Sequence, residues 1–404
     1  MLRDHHRRVT IPQLLAHVSL GALFVYAATA VISISVMQAA YILALVAWIA
    51  RLLWQGHTSQ LTFPLLVPCG AFVLASVLAT MTGVAPFKSL VELRNVFEVL
   101  IFYLVVNEVT TEQRATALIT VLIAASTGMA LYGLTQSLAQ GVDFRVHGTM
   151  SSYMTFAGLL MLVSLMTVAQ CLFWSSRRQL SWGVPAAGLL TAALLMTHTR
   201  SAWCGLLAGG AVLCGLYQKW VLLALPLAAV LILLVVPQPV KARALSILDR
   251  SEITAQERIS MWVSGLHILR DYPWTGIGMG TMARLYDQYR EPDSPVKTDR
   301  RIGHLHNNVV QIAAERGLLG LACWLWIWLA YGYHAWRIYR RLDPAQRRAR
   351  ALVVGSLASV VAFQIDGLFE YAFGDSEVIT LTYFLMALPF VVQRAHEGQH
   401  HATA

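Results

Sequence analysis

Charged residues are scarce in this chain. Asp, Glu, Lys and Arg make up 13% of its 404 residues, whereas hydrophobic residues make up 57% and the mean hydropathy is +0.59. A water-soluble domain carries roughly 25% charged residues. The low charge and the many long apolar runs exclude a water-soluble fold and predict an integral membrane protein.

Cysteine is rare, and acidic residues are outnumbered. The five cysteines lie in apolar stretches without a Cys-x-x-Cys pair, which argues against a disulfide framework or a zinc site. The 30 Lys and Arg exceed the 21 Asp and Glu and give a formal net charge of +9. In a membrane protein the position of these cations matters more than their sum, so the charge does not indicate nucleic-acid binding.

Apolar stretches that approach the bilayer-spanning length of about 20 residues recur along the chain. They predict an all-α polytopic membrane protein with about twelve transmembrane helices. The predicted spans lie near 14–33, 36–54, 62–81, 91–108, 115–138, 152–174, 183–199, 202–217, 220–236, 317–336, 351–369 and 378–392. Because the basic N-terminus and the apolar stretch that follows it lack a small-residue cleavage site, the first span is interpreted as a retained helix.

Lys and Arg in the loops predict the orientation. Most lie on one side, which is therefore predicted to be cytoplasmic and to hold both termini: Arg3, Arg7, Arg8, Arg51, Arg114, Arg177, Arg178, Lys219, Arg394 and the cluster between 337 and 350. The short outer loops hold Lys88, Arg94, Arg145 and Arg200. The predicted domains are transmembrane helices over 1–236, a large helical extracytoplasmic loop over 237–305, and transmembrane helices with a cytoplasmic tail over 306–404.

The extracytoplasmic loop is predicted to contain its own helices. Thr254 and Glu257 form a capping-box signature, which predicts a helix from about 255 to 270 that ends before Pro273. The glycine-rich run 276–280 lacks a preceding strand, so it predicts a tight turn rather than a dinucleotide fingerprint. A second short helix is predicted over Met282–Tyr289.

Four basic side chains lie at the outer boundary of the membrane: Arg200, Arg145, Arg258 and His306. Taken singly, Arg200 is a snorkelling residue at a helix end and Arg145 is a loop charge. Arg258 alone is a solvated helix position, and His306 alone is a helix cap. Together, where acidic residues are few, they favour an anion site, because arginine forks bind phosphate and a neutral histidine accepts a proton. Since nucleotide sugars and ATP are absent outside the membrane, the anion is predicted to be lipid-linked.

Three blocks of sequence then occur in a recognisable order. Thr199–Trp203 resembles a (T/S)-R-S-x-W element, and Arg258–Gly280 resembles R-x3-W followed by D-x-P-x-x-G-x-G-x-G. His306–Gly320 resembles H-N-x-x-(L/V) followed by E-x-G-L-x-G. On these blocks the chain resembles the O-antigen ligase and polymerase superfamily over roughly Arg145 to Gly320.

The resemblance to an O-antigen ligase implies a glycosyltransferase of the Gram-negative inner membrane. Such an enzyme transfers a polysaccharide from undecaprenyl diphosphate to the lipid A–core oligosaccharide at the periplasmic face, with inversion and without a metal or other cofactor. Functional association with a polymerase and a chain-length regulator is also implied.

Site residues are carried over from the same resemblance. Arg200 and Arg258 would bind the donor diphosphate, and His306 would activate the acceptor hydroxyl. The substrate-binding residues would be Arg145, His147, Trp203, His304, Asn307 and Glu315. In an extended backbone His304 faces the same way as His306, so a share of His304 in the base role stays open.

Other functions fit parts of the pattern. An O-antigen polymerase or a protein O-oligosaccharyltransferase would use the same donor, although the latter usually has a longer C-terminal region. A transporter would place its charges near the bilayer midplane and show repeats, and neither is evident. A purely structural membrane scaffold would not explain the Arg and His-Asn blocks together.

An acidic cluster follows the last predicted outer turn: Asp366, Glu370, Asp375 and Glu377. Its members are interpreted either as a metal or base site, or as solvated residues and partners for the outer arginines. The second interpretation is favoured, and no Asp-x-Asp metal clamp occurs in the predicted outer loops.

Overall fold

A computed structural model describes residues 10–56, 61–174, 176–249, 252–296 and 302–403, and the regular structure within these ranges is helical. The predicted all-α class is confirmed. The α-helices are α1 (Ile11–Thr29), α2 (Ile34–Gln55), α3 (Leu66–Thr82), α4 (Pro86–Glu92), α5 (Leu100–Glu108), α6 (Glu112–Gln140), α7 (Tyr153–Phe173), α8 (Arg177–Met196), α9 (Arg200–Tyr217), α10 (Ala224–Val235), α11 (Gln238–Leu245), α12 (Ile253–Asp271), α13 (Met282–Tyr289), α14 (Asn308–Arg341), α15 (Arg347–Asp366), α16 (Ser376–Met386) and α17 (Leu388–Thr403). The predicted helix over Met282–Tyr289 is therefore confirmed as α13.

Eight helical segments among the described residues are long and apolar enough to cross a membrane: α1, α2, α6, α7, α8, α14, α15 and the continuous segment Ser376–Gly398. A polytopic protein is confirmed, whereas the number twelve is not. The other four predicted spans are helical, but two are short, one is interrupted and one is less apolar. Helix α3 has 17 residues and α10 has 12, α9 begins with a charged residue, and the segment predicted at 91–108 contains a 3₁₀ stretch, Leu93–Val99.

The helices that support the charged residues form the centre of the bundle. In α7, 89% of the apolar 18-residue stretch is buried inside the protein, and in α15 the share is 78%. Helix α9 packs against both of them. Arg200 is the first residue of α9, so this packing fixes its position at one end of the central helices.

Helix α12 corresponds to the helix predicted at 255–270, but the predicted capping box is wrong. The N-cap is Glu252, and no side chain caps the helix. The helix begins at Ile253, so Thr254 lies within its first turn instead of preceding it. The hydroxyl of Thr254 accepts a hydrogen bond from Nη2 of Arg200 at 3.2 Å, and the carboxylate of Glu252 pairs with Arg200 and Arg243.

The glycine-rich run 276–280 forms the predicted tight turn, which packs into a break in α14. Gly317 interrupts α14 with φ of 64° and ψ of −171°, a conformation that favours glycine. At this break Ile277 N donates to Ala314 O at 3.0 Å and Gly278 N donates to Glu315 O at 3.0 Å. The two glycine-containing motifs thus form one structural joint between the loop and α14.

The structure leaves parts of two predictions without a test. Arg3, Arg7 and Arg8, which are predicted to be cytoplasmic, lie outside the described residues, as do positions 250–251 and 297–301 of the large loop.

Candidate active site

Four arginines line one cavity of about 210 Å³, together with His198 and His306: Arg145, Arg200, Arg243 and Arg258. We call it the arginine cavity. The structure therefore brings together all four basic residues singled out in the sequence. Arg243 and His198 are additions that sequence reasoning missed.

Arg145 is held rigidly at one wall of this cavity. Its Nε donates to the carbonyl of Thr197 at 3.1 Å, and its Nη2 donates to the carbonyl of His198 at 2.8 Å. Its Cζ lies 3.5 Å from the ring centroid of Tyr153, a cation–π contact. Burial lowers the pKa of Arg145, and the charges of the other arginines lower it further. The guanidinium group of Arg145 is repelled by the neighbouring arginines, and a bound anion would reduce this repulsion.

Arg200 and Arg243 share one internal counter-ion. Both guanidinium groups pair with the carboxylate of Glu252. Arg200 also donates from Nη1 to the carbonyl and hydroxyl oxygens of Ser246, both at 2.9 Å. Burial alone would raise the pKa of Glu252, but hydrogen bonds from Thr254 and the two arginines outweigh it and lower the pKa. The carboxylate is thus an anion bound at the arginine forks.

His306 is joined to Arg258 through Glu370. Nδ1 of His306 lies 3.0 Å from each carboxylate oxygen of Glu370, and Nη2 of Arg258 lies 3.4 Å from Oε2. His306 has a φ of 48°, a left-handed conformation that few non-glycine residues adopt and that is found at sites where the surrounding structure imposes it. For Glu370, the expectation that the acidic cluster partners the outer arginines agrees with this geometry.

The backbone around His306 is anchored from both sides. Nε1 of Trp262, on α12, donates to the carbonyl of Leu305 at 3.0 Å. Asn307 caps α14 by accepting from Val310 N at 3.0 Å, and its Nδ2 donates to the carbonyl of Leu368 at 2.8 Å. The Arg-x₃-Trp and His-Asn motifs therefore converge on the same turn.

His304 faces a second cavity. Its ring centroid lies 4.3 Å from that of His306, so the two histidines are neighbours, as their spacing suggested. The second cavity, of about 290 Å³, is the carboxylate cavity, named for three of its lining residues, Glu92, Glu98 and Glu315, beside Asn95, His304 and Tyr371. The histidine pair lies between two cavities of opposite charge.

A third cavity adjoins the arginines on an apolar surface. Its volume is about 210 Å³, and it is lined by Cys204, Ile247, Ile259, Trp262 and Phe369, together with Arg200, Ser201, Ser246, Ala255 and Arg258. We call it the apolar cavity. Since Arg200, Ser201 and Arg258 line both cavities, the two cavities are adjacent, with a cationic surface beside an apolar one.

Three of the predicted substrate-binding residues line none of these three cavities: Trp203, His147 and Asn307, the cap of α14 described above. Trp203 is 7% exposed, and its Nε1 donates to the carbonyl of Leu194 at 3.2 Å. His147 contacts the carbonyl of Met150 through Nδ1 at 2.9 Å. Neither lines the arginine or the carboxylate cavity. Both support the loop and helix that carry Arg145 and Arg200.

Glu315 lies at the joint between the loop and α14. Its Oε1 accepts from Gly280 N at 2.8 Å, and its Oε2 accepts from Nη1 of Arg316 at 3.2 Å. Arg316 is only 4% exposed and also donates from Nε to Ser76 Oγ at 3.3 Å. This pair therefore ties α14 to α3 as well as lining the carboxylate cavity.

His198 is the second residue that sequence reasoning missed. It is 7% exposed, has a φ of 56°, and its Nε2 has no hydrogen-bond partner among the described residues. Burial lowers its pKa, and the charge of Arg145 lowers it further. Its place directly before Thr199 and Arg200 was the available signal, because a histidine at a helix boundary beside a functional arginine lies in the same turn.

One donor set among the described residues has the spacing of a metal site. Ligand atoms of His304, His306 and Glu370 lie within 4.8 Å of one another. Arg258 contacts the same carboxylate at 3.4 Å, so a fixed cation already occupies one side of Glu370. This arrangement favours a histidine–carboxylate pair over a metal site.

The sequence of the site also matches a known family. Residues 185–325 match the family model described as O-antigen ligase, which confirms the predicted resemblance. The matched segment contains His198, Arg200, Arg243, Arg258 and His306, whereas Arg145 and Glu370 lie outside it. No curated protein sequence matches the chain.

Proposed function

We propose, on the premise that residues 185–325 belong to the O-antigen ligase superfamily, that this chain is an O-antigen ligase. It would transfer a polysaccharide from undecaprenyl diphosphate to the lipid A–core oligosaccharide at the periplasmic face of the inner membrane. The observation that carries the proposal is the junction of the apolar and arginine cavities beside His306.

The donor fits this junction by its chemistry. Its diphosphate would lie among Arg145, Arg200 and Arg258, where planar guanidinium forks bind phosphate oxygens in pairs. The first isoprene units would occupy the apolar cavity, which Arg200 and Arg258 also line. An anionic lipid gains from both surfaces, whereas a soluble nucleotide sugar would leave the apolar cavity unfilled.

The transfer is a displacement at the anomeric carbon of the donor. The acceptor hydroxyl oxygen forms the new bond to this carbon while the bond to the diphosphate oxygen breaks. His306 would take the hydroxyl proton, and undecaprenyl diphosphate would leave with the bonding electron pair. Attack from the face opposite the leaving group inverts the configuration of the sugar.

The arginines would stabilise the leaving group as it gains negative charge. Preorganised cations near developing charge lower the barrier, because they need not reorganise during the reaction. Fixed guanidinium groups supply the positive charge that divalent cations supply in many other phosphate-leaving reactions, which supports metal-independent transfer.

A genetic experiment tests the function. Deletion of the coding gene in its host is expected to abolish polymer-capped lipopolysaccharide and to accumulate polymer on the lipid carrier. Complementation with wild type or with His334→Ala should restore capping, since His334 is exposed on α14 away from the site. His306→Ala should fail to restore it at equal expression, and normal capping by this variant would contradict the proposal.

The same deletion separates a ligase from an O-antigen polymerase. Loss of a polymerase leaves the core capped with a single repeat unit, because ligation still proceeds. Loss of a ligase leaves the core without any repeat unit. A single-unit band in the deletion strain would therefore replace the ligase proposal with a polymerase that uses the same donor.

A further inference from the structure

The carboxylate cavity is separate from the two cavities proposed to bind the donor. None of the four arginines of the arginine cavity lines it, yet it reaches the histidine pair from the other side through His304. The ring centroids of His304 and His306 are 4.3 Å apart. A group bound in this cavity would therefore contact His304, whose ring is the neighbour of the proposed base His306.

The lining of the carboxylate cavity suits a ligand that donates hydrogen bonds. Each carboxylate is partly engaged: Glu92 Oε2 accepts from Asn95 Nδ2 at 3.3 Å, and Glu98 Oε1 accepts from the hydroxyl of Ser376. A carboxylate offers about four lone-pair sites, so these hydrogen bonds leave further acceptor capacity at both groups.

Aromatic rings complete the other wall of this cavity. Tyr371 lies 6.0 Å from His304 between ring centroids, and Phe72 and Phe373 pack edge to face at 5.7 Å. Carboxylates and amides that accept from hydroxyls, beside aromatic faces that cover C–H groups, match the two surfaces of a sugar ring. The volume of about 290 Å³ suits a single ring rather than a chain of them.

The charge of the carboxylate cavity discriminates against anions. Glu315 and Arg316 pair with each other, so the unpaired balance of this lining is Glu92 and Glu98 against Lys88. A phosphate in this cavity would face carboxylates at close range, which costs free energy in a partly buried site. The arginine cavity has the opposite preference, so the two substrates would be sorted by charge.

We propose that the carboxylate cavity is the acceptor subsite, and that the sugar ring bound there is uncharged and presents free hydroxyl groups. The inference rests on the proposed function, since it assigns the acceptor of the same reaction. It places the acceptor ring beside His304 and the donor diphosphate beside Arg200, with His306 between them. A phosphorylated or otherwise anionic ring would be excluded from this position.

A binding experiment tests the subsite without relying on turnover. The purified full chain in detergent is titrated with two synthetic core oligosaccharides that differ only at the terminal hexose, which carries either free hydroxyls or a phosphate. The uncharged form should bind at least about tenfold more tightly, which is the usual effect of one hydrogen bond to a charged group. Equal or tighter binding of the phosphorylated form would overturn the inference.

Glu92→Gln identifies the cavity responsible for this preference. The substitution keeps the shape of the side chain and removes its charge. It should therefore weaken the binding of the uncharged oligosaccharide and reduce the ratio between the affinities for the uncharged and the phosphorylated forms. Asp287→Asn, at an exposed position of α13, is the matched control and should change neither value. If Glu92→Gln leaves both affinities unchanged, the cavity is not the acceptor subsite.

Measurement of donor binding distinguishes failure of the acceptor subsite from failure of the proposed function. Glu92→Gln should leave the affinity for undecaprenyl diphosphate unchanged, and a loss of donor affinity instead would assign the cavity to the donor glycan. Failure of the proposed function has a different signature. The wild-type chain would then bind the oligosaccharides with the stated preference but would transfer no glycan to them.

Discussion

Nδ1 of His306 lies 3.0 Å from both carboxylate oxygens of Glu370. When Nδ1 carries the proton of this hydrogen bond, Nε2 keeps its lone pair for the acceptor hydroxyl. Burial alone would raise the pKa of Glu370, but the hydrogen bond and charge of His306 and the charge of Arg258 outweigh it and lower the pKa. Glu370 is therefore ionised at neutral pH, and one carboxylate orients both the base and a donor-binding arginine.

Glu370→Gln tests this positioning role. The amide keeps the size of the side chain but loses the charge that stabilises a protonated His306, so kcat should fall about 10- to 100-fold, a part of the about 10²- to 10⁴-fold that general-base catalysis supplies. The acceptor KM should change little. Steady-state kinetics with the purified protein measure both values, and an intact kcat with a raised acceptor KM would contradict the role.

Glu252→Gln should strengthen donor binding. Glu252 occupies the guanidinium forks of Arg200 and Arg243, and an incoming diphosphate must compete with it. Removal of its charge should lower the Kd for undecaprenyl diphosphate about fivefold, the equivalent of about 1 kcal/mol for a partly exposed ion pair. Titration of both proteins in the same detergent measures the change. Weaker donor binding by a folded Glu252→Gln protein would show that Glu252 supports the site rather than competes for it.

His198 should couple donor binding to proton uptake. Burial and the charge of Arg145 lower its pKa in the empty site, so it is neutral at neutral pH. A bound diphosphate brings negative charge that raises this pKa, and donor affinity should therefore increase as the pH falls towards about 6. Calorimetry in two buffers of different ionisation enthalpy measures the protons taken up. His198→Gln should take up fewer protons than wild type, and equal uptake would contradict the assignment.

Gly317→Ala should destabilise the protein. At a φ of 64°, an added Cβ would lie 2.3 Å from the backbone carbon and oxygen of Trp274, so the loop and α14 would have to separate. We expect a loss of about 2 kcal/mol or more in the free energy of unfolding, seen as a lower Tm in detergent. The control is Gly332→Ala, later in α14, where an added Cβ meets no atom within 4 Å. A Tm equal to that of the control would contradict the joint.

Local signals in the sequence predicted much of the fold. The end of α12 follows from Pro273, and the turn at 276–280 follows from its glycines. The capping box at Thr254 was wrong, because the helix begins earlier, at Ile253, after Glu252, whose carboxylate pairs with the distant Arg200. The number of spans was hard to predict for a related reason, since interrupted helices such as the segment around Leu93–Val99 have the composition of a span without its regular geometry.

The sequence predicted those residues of the site that are charged and belong to a recognisable motif. Arg200, Arg258 and His306 stand in recognisable blocks, and the structure brings them together with Arg145. Glu370 was recognised only as one of four acidic residues, because pairing between positions 64 residues apart is a tertiary property. Arg243 was hidden among the other cations of the loop. The separation into an arginine cavity and a carboxylate cavity was not visible in the sequence, because the carboxylate lining comes from distant segments of the chain.

The central claim is that His306 activates an acceptor hydroxyl for attack on a diphosphate-linked glycan held by arginines. The most direct measurement is transfer by purified protein of polysaccharide from undecaprenyl diphosphate to lipid A–core, with EDTA present, for wild type and His306→Ala. We expect wild type to produce capped lipid A–core, and His306→Ala to be slower by about 10²- to 10⁴-fold while it binds undecaprenyl diphosphate with unchanged affinity. Transfer by His306→Ala at the wild-type rate, or wild-type transfer that requires an added divalent ion, would contradict the account.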